Sequence, residues 1–376
     1  MRAKRLIILL ILSLLLGGCS PSGEVENQAH VLVLGVDREP SGGICLTMRI
    51  PRIGKAETKS TGGSGEYLVL SAEGDDYSQA HEYLQWAATR DINLSQLRLL
   101  AVSEELAREG AFPQLIRTIA ASHHLYTAAR FVVCQGSAKA FISGQEITIG
   151  TRLSSELDAM FDHYAAHGVI PDSTFADLYY ASASVYSDPV AIWGFPSEKA
   201  PGGSQEAAAL LDPNDDQDAL VESPSSRYYL GTAVFREGRL VHHLDSAQTR
   251  FFGLIAGQRI TFGYEIGGRA VEVSSTGSTQ KRVTISGENT AVHLEITLNT
   301  IDRLSAEEAR TIEAEIATGI RTTILDCQRA GVEPFGFAQK AARSFTTLQE
   351  WAAFDWKSRF AGAKVEVRIH VKYSEV

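Results

Sequence analysis

After its first sixteen residues the chain has no apolar run approaching 18 residues, so nothing downstream has the length to cross a bilayer as a helix. It lacks G-x-S-x-G, the phosphate-binding loop G-x-x-x-x-G-K-[ST] and G-x-G-x-x-G. No local motif therefore argues for a serine hydrolase, a P-loop nucleotidase or a dinucleotide-binding enzyme. Basic residues are in deficit, with 35 Lys and Arg against 45 Asp and Glu, for a formal charge of -10. Nucleic acid and anionic lipid headgroups both require basic surface, so neither is expected as a general partner. Cysteine is scarce: four residues, at spacings that match no zinc pattern.

What the chain does have begins at its N-terminus. Arg2, Lys4 and Arg5 precede the eleven-residue stretch 6–16, apolar except for Ser13, and then Gly17, Gly18 and Cys19. A positive n-region with an apolar segment too short to span reads as an export signal. Leu16-Gly17-Gly18-Cys19 resembles a bacterial lipobox, with cleavage expected before Cys19 and a diacylglycerol attached to its thiol. Two acyl chains are what stable anchoring takes, at about 0.8 kcal/mol per buried CH₂. Cleavage removes three basic residues and no acidic one, which takes the formal charge from -10 to -13. The remaining cysteines, Cys45, Cys134 and Cys327, are odd in number and lie in apolar contexts, as expected of buried free thiols; one disulfide is the alternative.

The hydrophobic fraction of 44 % allows full cores, and alternation and punctuation divide the chain into a signal (1–18), a tether (19–27), an N-terminal α/β domain (28–145), a helix-rich middle domain (146–195), an acidic Pro/Gly/Ser linker (196–226) and a C-terminal α/β domain (227–376). Runs 30–37 and 44–50 read as a hairpin and 54–65 as a mobile loop, followed by a strand at 66–72. Asp75 or Asp76 caps a helix to about residue 90, and 97–102 returns as a strand, a β-α-β crossover. Helices are expected at 104–109, 113–122, 154–167 and 174–184, with a strand at 128–134 and a helix start at Gly136. In the last third, 228–235 and 240–244 form a hairpin and Asp245 or Ser246 starts a helix. Separate strands are expected within 259–266, 270–275, 281–286 and 291–301. Ser305 to Glu308 spells a capping box for a long helix to about residue 330, and 364–373 alternates at period two as a closing strand. The fold class expected is mixed α/β (α+β), with a largely antiparallel, helix-flanked sheet in the C-terminal domain.

Candidate chemistry is thin. His163 and His167 share a helical face, but Tyr164 stands where a zinc protease has Glu. Residues 212–218 (DPNDDQD) imitate a calcium loop at positions one, three and five; Gln217 replaces the required Gly and Ser223 the required Glu. His123-His124 and His242-His243, the latter near Asp245, have no accompanying nucleophile. No catalytic, cofactor-binding or metal-ligating residue is expected from these patterns.

Several separated segments nonetheless share a resemblance. Besides the lipobox they are Leu34-Gly35-Val36-Asp37, residues 97–110 (LRLLAVSEELAREG), Gly136-Ser137-Ala138-Lys139, residues 231–235 (GTAVF), Thr249-Arg250-Phe251-Phe252, Pro334-Phe335-Gly336-Phe337, and Trp351 with Trp356. In this order they resemble the Ger(x)C family of spore germinant-receptor lipoproteins. The chain departs from that family after Cys19, where Ser20-Pro21-Ser22-Gly23 replaces its usual Trp-Asp and Arg-Glu. The resemblance implies a three-domain, non-enzymatic subunit, lipidated at Cys19 on the outer face of the spore inner membrane. Its implied partners are a polytopic A subunit and a transporter-like B subunit that senses the nutrient. A solute-binding lipoprotein serving a transporter is the alternative, and predicts a cleft between two similar α/β lobes.

Overall fold

The computed structural model describes residues 27–52, 67–110, 112–121, 125–143, 153–196 and 227–375. In the first part of the chain, β1 (Gln28–His30), β2 (Val33–Arg38), β3 (Ile44–Pro51) and β4 (Tyr67–Gly74) precede α1 (Tyr77–Ala88). Then come β5 (Asp91–Asn93), β6 (Leu99–Ser103), α2 (Glu104–Arg108), α3 (Phe112–Ala120), β7 (Arg130–Cys134), α4 (Ala138–Ser143), α5 (Leu153–Ala166), α6 (Phe175–Ala183) and β8 (Val190–Pro196). The hairpin β9 (Arg227–Arg236) and β10 (Arg239–Leu244) follows. Eight of these strands make one sheet in the order β10-β9-β8-β7-β6-β2-β3-β4, while β1 and β5 pair separately.

Strands β2, β6, β7 and β8 run parallel at the centre of this sheet, with antiparallel hairpins at both margins. Parallel centres are covered on both faces, so their sequences are apolar throughout: all five residues of β6 are buried. The period of two then sorts them. Leu100, Val102 and Val133 face one core with Leu84, Ile116 and Phe175, whereas Leu99, Ala101, Val132 and Cys134 face another with Leu153, Leu157 and Phe161. The expected helix-rich middle segment therefore supplies α5 and α6 to opposite faces of this sheet. Residues 196–226, expected as a domain linker, join neighbouring strands, since Ile192 on β8 is opposite Thr232 on β9. That boundary separates two stretches of sequence and leaves the sheet unbroken. The loop expected at 54–65 lies outside the described residues.

The rest of the chain builds a second layer pair: α7 (Ser246–Ala256), β11 (Thr261–Ile266), β12 (Arg269–Ser286), β13 (Asn289–Leu304), α8 (Ala306–Ala330), α9 (Phe337–Ala341), α10 (Leu348–Phe354), α11 (Trp356–Ala361) and β14 (Lys364–Glu375). The sheet order is β11-β12-β13-β14, antiparallel except for the last pair. The strand β14 is parallel to β13 because the whole helical segment from α8 to α11 returns the chain before it begins. In α8 the Ser305 hydroxyl accepts from Glu308 N and the Glu308 carboxylate from Ser305 N, as the capping box requires. Ile312, Ile316, Ile320 and Ile324 form its buried stripe, and Gly331 closes the helix in the left-handed region. The two strands expected at 270–275 and 281–286 are one. The pairing slips between Ser275 and Thr279, so the glycine at 277 marks a bulge and the strand continues.

Candidate functional site

Cys19, His123, His124 and the acidic run 212–218 lie outside the described residues. His163 and His167 do come together, with ring centroids 4.2 Å apart, but His167 Nδ1 is 2.8 Å from the His163 carbonyl of its own helix. No group of three metal-ligating side chains forms among the described residues. His242 is half-buried and its pKa is lowered by that burial and then by His243, which stacks on Trp193. Asp245 does not pair with either; its carboxylate accepts from Gln248 N at 2.7 Å and caps α7. Cys45, Cys134 and Cys327 are buried and lie on different elements. Burial raises the pKa of the Cys327 thiol strongly, which makes it a core group and a poor nucleophile. No described helix is long and apolar enough to cross a membrane.

The segments that carry the resemblance are brought together in pairs. Asp37, at the end of β2, accepts from Ala138 N at 2.6 Å and Lys139 N at 2.7 Å, which caps α4 from a strand 101 residues earlier. Burial nevertheless raises its pKa, against the opposing effect of these hydrogen bonds. Arg38 pairs with Glu109, tying β2 to the end of the 97–110 segment. At the start of the 231–235 segment, Gly231 has φ +104°, and a Cβ there would lie 2.5 Å from the Leu244 carbonyl oxygen. Only glycine fits that close approach of β9 to the end of β10. The next residue, Thr232, shares a hydrogen bond of 2.9 Å with Thr249 of α7, both fully buried. These residues hold the layers in register.

The strongest concentration of unused polar chemistry lies between the eight-stranded sheet and the helices that follow α8. Glu333 is only 5 % exposed. Its carboxylate accepts from Phe335 N (2.9 Å), Phe337 N (3.1 Å) and Ala338 N (2.9 Å), which caps α9 and folds Pro334-Phe335-Gly336-Phe337 around it. The rings of Phe335 and Phe337 are consequently driven into the C-terminal core. Asp188, just before β8, binds the same residue from the other side: Glu333 N donates to its Oδ2 at 2.7 Å, and Asp188 N donates to the Glu333 carbonyl at 3.2 Å. Burial is the leading cause that raises both carboxyls, Glu333 to about 7. Lys281 on β12 donates to the Phe335 carbonyl at 2.7 Å, and burial lowers it to about 8. A cleft of about 380 Å³ opens above this clasp, lined by Asp188, Glu333, Tyr186, Trp351, Trp356 and Lys357 among others.

Neither Asp188 nor Glu333 has an ion-pair partner among the described residues. The arrangement has carboxylates and aromatic walls, and its backbone donors are already in use. Sequence reasoning missed Asp188 and Glu333 because each is a single acidic residue beside a proline, a pattern shared with ordinary loops. The one available signal was that Glu333 directly precedes the 334–337 segment.

Comparison with known proteins agrees with this organisation. Residues 22–192 match the family model described as the spore germination protein N-terminal domain, and residues 230–376 match the model described as spore germination B3/GerAC like, C-terminal. Among curated proteins, the chain is 20 % identical over 384 residues to YfkR of Bacillus subtilis (strain 168), a protein assigned by its name to spore germination. That alignment covers 96 % of this chain and 93 % of the relative. Among solved structures, the crystal structure of the GerBC protein superposes with a TM-score of 0.53 at 10 % identity, over 90 % of this chain and 96 % of that one. At that identity the match speaks for the fold, a mixed α+β architecture with several sheets.

Proposed function

From the premise that this chain belongs to the Ger(x)C family of spore germination proteins, we propose that it is a non-enzymatic subunit of a nutrient germinant receptor. In this reading it is lipidated at Cys19, sits on the outer face of the spore inner membrane, and assembles there with a polytopic A subunit and a transporter-like B subunit. The observation that carries the proposal is the ordered match of both halves, residues 22–192 and 230–376, to spore germination models. The sequence adds the lipobox ending at Cys19. Anchoring by lipid confines the folded part to two dimensions beside its partners and raises their effective concentration. A solute-binding lipoprotein fits less well: the eight-stranded sheet is covered on both faces and the four-stranded sheet packs its core on one, so the units are not similar lobes.

The test is recovery from spore membranes. Tagged wild-type protein is expected to fractionate with membrane and bring down the two membrane subunits, whereas Cys19→Ala is expected in the soluble fraction, with germination impaired. Normal nutrient germination with the unanchored variant, together with no co-purifying membrane subunit, overturns the proposal.

A further inference from the structure

We propose that the cleft between the eight-stranded sheet and the C-terminal helices is a binding site for a small organic ammonium ion. The site is independent of the lipid anchor and of any membrane subunit. Three features of the cleft converge on this class. Its volume, about 380 Å³, is that of a small-molecule pocket, and it lies where the two matched portions of the chain meet. Asp188 and Glu333 are among the residues lining it, and neither has a cation within ion-pair distance among the described residues. Lys357, the lysine at the rim, is already paired with Glu237 at 3.0 Å.

The walls set the rest of the ligand. Tyr186 and Trp351 lie with ring centroids 5.6 Å apart and Trp351 and Trp356 6.1 Å apart, a continuous aromatic surface suited to the alkyl groups and charge of an ammonium ion. Trp356 is 6 % exposed, so most of its ring belongs to the wall and the core behind it. Glu333 is satisfied by three backbone donors and Asp188 by one. Asp188 therefore has the acceptor capacity to receive the ammonium group. The bound ion would touch the 181–189 connection and the 333–357 segment at once, and so would hold the two portions of the chain together.

The experiment uses the indole resonances of the four tryptophans, of which Trp86 is 66 % exposed on α1 and is absent from the cleft lining, as an internal control. Choline and ethanolamine, as quaternary and primary ammonium probes, are titrated into the isotope-labelled protein, with 3,3-dimethyl-1-butanol as the uncharged isostere of choline. At least one ammonium probe is expected to shift the Trp356 indole signal saturably in the millimolar range while leaving Trp86 unmoved, and the neutral isostere is expected to leave both in place. Asp188→Asn, which keeps an acceptor for Glu333 N, is expected to weaken that binding about tenfold or more, as loss of a charge-assisted bond does. The proposal is overturned if neither ammonium probe moves the Trp356 signal at tens of millimolar, or if the neutral isostere moves it equally. Unchanged affinity in Asp188→Asn overturns it too. None of these outcomes bears on membrane recovery, so failure here is distinguishable from failure of the receptor reading.

Discussion

Replacing Glu333 by glutamine should change how the stability of the protein depends on pH. The folded-state pKa of Glu333 is about 7, raised from an ordinary 4.5, first by burial. Between those values the folded chain binds more protons than the unfolded chain, so stability falls as pH rises through the window. Below pH 4.5 the carboxyl is neutral in both states and the penalty is absent; above pH 7 it is complete, at about 3 kcal/mol for a 2.5-unit difference. Integrated from pH 5 to pH 7.5, this one group costs the wild type about 2.5 kcal/mol. Glutamine carries no charge and loses that dependence, although its amide N–H₂ faces a backbone N–H where a carboxylate oxygen was, so the variant starts from lower stability. Lys281, the nearest buried cation, has a folded pKa of about 8, lowered from 10.5, and its own contribution changes above this range. The assay is thermal or urea unfolding of both proteins at pH 5 and pH 7.5. Relative to Glu333→Gln, wild type should lose about 2.5 kcal/mol on going to the higher pH, roughly 3 °C in Tm for a chain of 376 residues. Equal pH slopes in the two proteins would falsify the account of Glu333 as a desolvated carboxyl held by backbone donors.

Two further substitutions probe the joints between distant segments. Gly231→Ala places a Cβ at 2.5 Å from a backbone oxygen in a conformation with φ +104°, so a loss of about 2–4 kcal/mol is expected, read as a lower urea midpoint with unchanged slope. A loss below about 0.5 kcal/mol would show that β9 and β10 can separate there at little cost, an ordinary surface tolerance. Asp37→Ala removes the acceptor of Ala138 N and Lys139 N and should cost about 2 kcal/mol, the loss of two charge-assisted bonds partly offset by relief of desolvation. Hydrogen exchange should localise the effect to α4 and β2, and uniform loss of protection elsewhere with α4 unaffected would contradict the capping role.

What could be read from the sequence was whatever depends on neighbours a few residues away. The capping box of α8, the Asp245 cap of α7, the hairpins β2–β3 and β9–β10 and the alternating β14 all follow from spacing, because the hydrogen bonds involved are local. The expectation of an export signal and of lipid on Cys19 rests on sequence alone for the same reason: charge, a short apolar run and a thiol are contiguous. Expectations weakened wherever a residue's partner is far along the chain. The glycine at 277 reads locally as a break, and only pairing with β13 on the far side shows that β12 continues past it. The acidic stretch 196–226 has the composition of a linker, yet β8 and β9 pair across it, because sheet pairing is decided by the hydrophobic faces that both strands must bury. Asp188 and Glu333 are 145 residues apart, and neither has a local pattern that predicts burial or its partner. Sequence determined most of the helices and hairpins and which family the chain resembles; tertiary structure alone decided that its separated signature segments meet, and that two acidic residues meet beneath an aromatic cleft. The physical reason is that helix caps, turns and periodicity are set by short-range hydrogen bonds and side-chain spacing, whereas carboxylate burial and strand order are set by how whole layers pack.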